Sequence, residues 1–359
     1  MPPRRLHTRL TAAYGVEHPV AAAGMAFVGT APDLAVAVCR AGAIGSLAIG
    51  PLPAEAARAL IQAVRTQTDR PLNVNFITLF ATEEHVRVCV EERVPIVSFH
   101  WGHPPRAWID ALHAGGAKVW EQVGSVEAAR AAAADGVDLV IAQGTEAGGH
   151  NLGTLPTFVL VPAVVDAVGP ETMVLAAGGI SDGRQVAAAL ALGADGVWVG
   201  TRLVASEEAF AHPEYKERLV EAEGADTRLS PIFGPEMPHF NPMRVLENRV
   251  VREFTGREDE VPTDTSGEPV IGSTTFMGQQ VDLRRFTNWV PVATTVGDLE
   301  EMPLLAGQGV GQVREVRPAA EIVRELVEEA AAVLFRLGVP APGGVAVPRL
   351  ADEPEAVPA

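Results

Sequence analysis

Met173-Val174-Leu175-Ala176-Ala177-Gly178-Gly179-Ile180-Ser181-Asp182-Gly183, followed a helix's length later by Gly196-Val197-Trp198-Val199-Gly200-Thr201-Arg202, is where the fold is decided. Each segment is a short, β-branched apolar run that ends in glycine and gives way to a helical pattern, which reads as a buried parallel strand. Working back toward the amino terminus, the same unit recurs. Strand candidates are Pro19–Ala22, Ala43–Leu47, Leu72–Phe76, Ile96–Phe99, Lys118–Trp120 and Leu139–Ala142. Helical patterns run over Pro32–Cys39, Ala54–Arg65, Glu83–Glu92, Pro105–His113, Val126–Ala134, Val161–Val168 and Gly183–Leu192. Eight strands separated by single helices is the count that a closed (β/α)8 TIM barrel of the α/β class requires. An open doubly wound sheet would show the same alternation with fewer strands.

After Arg202 the rhythm stops. Residues 206–305 are rich in Pro, Gly, charge and aromatics, as in Gly234-Pro235-Glu236-Met237-Pro238-His239-Phe240, and helical patterning returns at Met243–Phe254 and Ala319–Leu337. The reading is a barrel over 1–205, a small, mainly helical cap inserted over 206–305, a helix within 306–340 that returns to the barrel wall, and a disordered tail over 341–359.

Composition narrows the function. The 359 residues carry 28 Lys and Arg against 45 Asp and Glu, a formal charge of −17. So acidic a surface repels nucleic-acid backbones and anionic membranes, while local backbone amides can still bind a phosphate. No apolar run of about 18 residues is present, so no membrane span is expected. The amino-terminal stretch lacks a signal-peptide core. Cys39 and Cys89 sit in helical patterns without metal-ligand spacing, and read as reduced core thiols of a cytoplasmic protein. No zinc-type cluster, Walker loop, nucleophile elbow or strand-linked Gly-x-Gly-x-x-Gly occurs. No metal site is expected.

Barrel enzymes work at the carboxyl ends of their strands, with phosphate groups at the loops after strands seven and eight. Here those loops are Ala177-Gly178-Gly179-Ile180-Ser181-Asp182 and Gly200-Thr201-Arg202, whose glycines let backbone approach an anion; Ser181 or Asp182 can cap the following helix. Alternation turns Asn73 and Asn75 to one face, with Asn75 nearer the carboxyl end and able to bond a heteroaromatic ring or neighbouring backbone. Ala23-Gly24-Met25 after strand one is small and apolar, suited to a flat ring or to plain packing. The loop Gln143-Gly144-Thr145-Glu146-Ala147-Gly148-Gly149-His150 presents an imidazole beside the small residues Gly148 and Gly149. A neutral histidine there can take a proton from an acidic carbon. His100 and His103, after strand four, are its rivals.

These segments, with Leu72–Phe76, Ala211–Lys216 and Ala306-Gly307-Gln308-Gly309, resemble the nitronate monooxygenase family, formerly called 2-nitropropane dioxygenases, over residues from about 15 to 335. The resemblance implies non-covalent FMN in contact with Ala177, with Gly178, Gly179, Gly200 and Thr201 holding its phosphate through backbone amides. It implies Ala23, Gly24, Met25, Asn75, Gln122, Gln143, Gly148 and Gly149 along the flavin, and His150 as the catalytic group. The implied reaction is oxidation of alkyl nitronates by molecular oxygen to a carbonyl compound and nitrite, with a homodimer left open. Two features depart from that branch. Ala22-Ala23-Gly24-Met25 stands where members carry a Gln-Gly-Pro-Met type segment, and His150 is followed by Asn151-Leu152 and a short path to the next helix. The second resembles the flavin-dependent enoyl-acyl-carrier-protein reductases. Two alternatives follow: an NAD(P)H-dependent FMN reductase acting on an enoyl thioester or quinone, and a flavin-binding barrel without turnover.

Overall fold

The computed structural model describes residues 6–338; the tail expected over 341–359 lies outside them. Eight parallel strands form one sheet: β1 (Val20–Ala22), β2 (Gly45–Ala48), β3 (Leu72–Ile77), β4 (Ile96–His100), β5 (Lys118–Val123), β6 (Leu139–Gln143), β7 (Met173–Ala177) and β8 (Gly196–Val199). Each pairs with its sequence neighbour, and β1 also pairs with β8. A single parallel bridge, Ala21 to Ile44, joins β1 to β2 and completes the ring. Ala22 N–H donates to the Ile44 carbonyl at 2.8 Å and Ile44 N–H to that of Val20 at 3.0 Å. The barrel closes as the strand count requires.

Seven helices lie between the strands: α1 (Pro32–Arg40), α2 (Ala54–Arg65), α3 (Glu83–Glu91), α4 (Arg106–Ala114), α5 (Val126–Ala134), α6 (Thr157–Val168) and α7 (Gly183–Ala191). The sixth begins four residues before its expected start, because Pro156 precedes it and the Glu146 carboxylate accepts from the Thr157 amide at 2.8 Å. The eighth wall position is filled by α8 (Ala319–Arg336), which packs against α7 and α1. Outward-facing strand residues such as Val74, Phe99, Val140, Val174 and Val197 form one core with these helices.

Inward-facing residues change character along the barrel axis. At the amino-terminal end Ile96, Trp120, Leu139, Ile141, Leu175 and Trp198 form a dry layer, sealed from below by Leu10 of the helix Arg9–Tyr14. Alternation of period two then places Ser98 and His100, Gln122, Gln143, and Asn73 and Asn75 further along the same faces. Their amides are held across strands: Asn73 Nδ2 donates to Ser46 Oγ at 2.9 Å and Asn75 Nδ2 to Ser98 Oγ at 2.8 Å. The barrel is apolar where it is closed and polar where it opens.

The insertion, expected to be a small, mainly helical cap, mixes strands with α-helix and short 3-10 turns, with more strand than α-helix. It holds β9 (Thr227–Ser230), β10 (Met243–Leu246), β11 (Val270–Phe276) and β12 (Gln279–Arg284), against helices Pro213–Glu221 and Arg249–Phe254. The helical pattern assigned to Met243–Phe254 is therefore a strand followed by a short helix, capped by Asn248, whose Oδ1 accepts from Val251 N–H at 3.2 Å. β11 and β12 form a hairpin through Met277-Gly278, both with positive φ (51° and 76°), the geometry of a two-residue mirror-image turn.

Candidate active site

A cavity of about 370 Å³ opens at the carboxyl ends of the strands, roofed by the insertion. All fourteen residues selected from sequence line it: Ala23, Gly24, Met25, Asn75, Gln122, Gln143, Gly148, Gly149, His150, Ala177, Gly178, Gly179, Gly200 and Thr201. Close backbone packing explains the glycines at two positions. A Cβ on Gly24 would lie 1.9 Å from Asn75 Oδ1, so the Asn75 amide rests on bare backbone. One on Gly148 would lie 2.6 Å from the Gly307 nitrogen.

Gly178 and Gly179 have φ of 107° and 72°, the left-handed region in which glycine escapes the Cβ penalty. None of the loop and turn hydrogen bonds among the described residues uses their amide N–H groups. The first turn of α7 is already occupied: Asp182 accepts from Arg184 and Gln185 N–H, and Glu329 from Gly183 N–H at 2.7 Å. The cap anticipated for that helix is thus Asp182, while Ser181 N–H donates to Gln185 Oε1 at 2.7 Å. Thr201 Oγ1 accepts from Gly307 N–H at 2.9 Å, tying the returning chain to the rim. Gln143 donates to the His150 carbonyl at 2.9 Å, and its Oε1 is buried without a partner. An orphan acceptor beside glycine-lined backbone, in a cavity walled by Ala, Gly and Met, fits a planar heterocycle bearing an imide N–H and a phosphate.

His150 is positioned by the insertion. Gly149 and His150 form a short strand that pairs antiparallel with β10, opposite Arg244 and Met243. His150 Nδ1 lies 2.5 Å from the carbonyl oxygen of Phe240, and the two rings stack at a centroid separation of 3.6 Å. A carbonyl only accepts, so Nδ1 carries the proton and Nε2 is left with its lone pair. Burial lowers the His150 pKa to about 4 against the raising effect of the Phe240 hydrogen bond. His100, the first rival, also lines the cavity, where burial and the proximity of His150 lower its pKa to about 3. Its Nδ1 accepts from Gln122 at 3.0 Å. His103, the other rival, lines a separate, shallower hollow, with Glu121 at 2.7 Å and Asp135 at 2.8 Å on its two nitrogens. Burial opposes its charge, but the two carboxylates outweigh that and raise its pKa.

Both inward histidines are neutral at pH 7 and must gain protons on unfolding in acid. The unfolded chain binds the proton near pH 6.5 and folded His150 only near 4, so stability falls as pH drops through that window. At about 1.4 kcal/mol per unit, His150 contributes roughly 3 kcal/mol of acid sensitivity. Denaturant midpoints at pH 7, 5.5 and 4 should show this decline, flattened in His150→Gln. Equal slopes for the two proteins would refute the assignment.

Sequence reasoning missed the roof: Met237, Phe240, Met243, Asn288 and Trp289 also line the cavity. The Pro- and aromatic-rich segment 234–240 was the visible signal, but nothing local said which strand end it would cover. Cys39 and Cys89 are free and buried, as expected, and burial raises their pKa values to about 11 and about 12. No group of three or more His, Cys, Asp or Glu among the described residues could hold a metal ion, and none of their helices is long and apolar enough to cross a membrane.

A TIM barrel with a neutral histidine in a glycine-lined, largely apolar cavity at its strand ends fits the class of flavin-dependent oxidoreductases. The chain belongs to the nitronate monooxygenase family, whose model matches residues 7–83 and 78–329. It is 34% identical to a nitronate monooxygenase of Pseudomonas aeruginosa, covering 89% of this chain and 98% of that one. Among solved structures it resembles FabK from Thermotoga maritima, with TM-score 0.78, 36% identity and coverage of 93% and 99% of the two chains. It also resembles a nitroalkane oxidase from Streptomyces ansochromogenes, with TM-score 0.74, 30% identity and coverage of 91% and 99%.

Proposed function

We propose that the chain binds FMN and oxidises alkyl nitronates, and neutral nitroalkanes through proton removal, with molecular oxygen as acceptor and a carbonyl compound and nitrite as products. The observation that carries this reading is the His150 tautomer: Nδ1 committed to the Phe240 carbonyl, Nε2 unprotonated within a largely apolar cavity. Gly178 and Gly179, with Gly200 and Thr201, would hold the phosphate by backbone N–H groups. Asn75, Gln122 and Gln143 would bond the ring edge, while Ala23, Gly24, Met25, Ala177, Gly148 and Gly149 provide its flat walls. When bound, the flavin supplies the electron acceptor for the substrate carbon and passes the electrons to oxygen.

His150 then acts in one of two ways. Toward a neutral nitroalkane, Nε2 takes the proton from the carbon bearing the nitro group. Toward a preformed nitronate the same nitrogen gains a proton from solvent as the anion enters, since an anion buried without a counter-charge is costly. Phe240 and Trp101, whose rings meet at 5.0 Å, cover the imidazole and keep bulk water from it. In the same reading residues 206–305 are the cap, and the buried free thiols suit a reducing compartment such as the cytoplasm.

An anaerobic absorbance titration tests this. Alkyl nitronate should bleach the flavin, with nitrite released once air is admitted, and NADH or NADPH should bleach it slowly. The second reading, an NAD(P)H-dependent reductase of an enoyl thioester or quinone, is favoured by the similarity to FabK and by the short path from His150 to α6. Rapid bleaching by a nicotinamide without nitrite formation would replace the first reading with it.

A further inference from the structure

Among the described residues, no Lys, Arg, Asp or Glu lines the cavity. The side facing the insertion is built mainly from Phe80, Met237, Phe240, Met243, Trp289 and Val290, with the Asn288 amide as a neutral polar group among them. Phe240 stacks on His150 and touches Phe80 edge-on at 6.1 Å, so this apolar wall begins at the reacting imidazole. The two guanidinium groups nearest in sequence to lining residues are turned elsewhere and occupied. Arg244 follows Met243 on β10, where alternation sends it to the opposite face, and its Nε donates to the Thr145 carbonyl at 2.9 Å. Arg202 follows Thr201, and its Nη1 reaches the carbonyls of Ala205 and Glu315. Both are buried, and neither can leave its acceptors without exposing them unsatisfied.

From this we propose that the site selects substrates with an uncharged, apolar tail, a medium-chain or aromatic nitro compound, and rejects those whose tail ends in a carboxylate. The proposal rests on the nitronate reading for the reacting head, and on the chemistry of the wall for the tail. A carboxylate carried past Phe240 would lose its hydration among Met, Phe, Trp and Val side chains, with the neutral Asn288 amide in reach but no cation to pair with. An alkyl chain in the same place gains with every methylene it buries.

The test compares the nitronates of 1-nitrohexane and 3-nitropropionate on the purified holoenzyme by nitrite release. We expect kcat/KM to favour the hexyl compound by at least 30-fold. A second arm needs no turnover: thermal shift of the same protein with hexanamide and with hexanoate, where the amide should stabilise and the carboxylate should not. Met243→Lys, which places an ammonium on the wall, should narrow the kcat/KM preference at least tenfold. Comparable turnover of both nitronates, or stabilisation by hexanoate equal to that by hexanamide, overturns the proposal. If neither nitronate is oxidised, the nitronate reading fails, and the thermal-shift pair alone decides whether the wall selects uncharged tails.

Discussion

Replacing His150 by alanine should leave flavin bound and cut turnover of neutral nitroalkanes by about 100- to 10,000-fold, the usual range for a lost general base. The loss on preformed nitronates should be smaller, because no carbon proton has to be removed. The flavin is expected to stay because the groups assigned to it belong to other elements: Gly178 and Gly179 follow β7, Gly200 follows β8, and Asn75 is on β3. Alanine also removes the ring that stacks on Phe240 and leaves that carbonyl without its donor, so His150→Gln is the better matched partner. A glutamine amide can still donate to Phe240, yet has no basic nitrogen. If both variants hold flavin and lose neutral nitroalkane activity alone, His150 is the base. If His150→Ala loses flavin while His150→Gln keeps both flavin and activity, the histidine is a structural clamp. Steady-state kinetics on a nitroalkane and its nitronate, with the 450 nm region scanned for flavin, separate these outcomes.

How much of this was legible in the sequence follows from the range over which each signal acts. The strands and their loops obey local rules: period two, a glycine break, a helical pattern. Asn75, Gln122 and Gln143 converge because alternation and strand order fix both direction and depth. The insertion has no such repeat. Phe240 reaches His150 across 90 residues of chain, and Met243 is aligned with it only through antiparallel pairing of β10 with a two-residue strand. Pairing between distant segments leaves little trace in either one alone. The hairpin was the exception: Met277-Gly278 between β-branched Val270–Phe276 and the alternating Gln279–Leu283 is a local turn signal that charge and exposure obscured. The tautomer of His150 was out of reach for the same reason as Phe240, since it is a property of the partner carbonyl.

Gly148→Ala should produce a less stable protein that binds flavin poorly. Its backbone is not in the left-handed region, so the conflict is one of space rather than of φ. A Cβ there would sit 2.6 Å from the Gly307 nitrogen and 2.7 Å from the Ala306 carbonyl carbon, both backbone atoms without rotamers to yield. Gly307 is packed on the same loop, since a Cβ on it would lie 2.7 Å from the Glu146 carbonyl oxygen, and that carbonyl also accepts from Gln308 N–H at 2.8 Å. The segment must therefore move off the His150 loop. In doing so it strains the Gly307 N–H bond to Thr201 Oγ1, and with it the rim assigned to the phosphate. Overpacking of this kind costs about 1–3 kcal/mol. A weakened flavin site should add to the apparent loss, since ligand binding stabilises by mass action. Gly267→Ala is the control, as a Cβ at that position meets nothing within 4 Å. Denaturation midpoints with and without added FMN make the measurement. The Gly148 variant should fall well below the parent and recover part of the difference with excess FMN, while the Gly267 variant tracks the parent. A Gly148→Ala protein with normal stability and normal flavin content would show that the 306–309 segment is not a fixed part of the site.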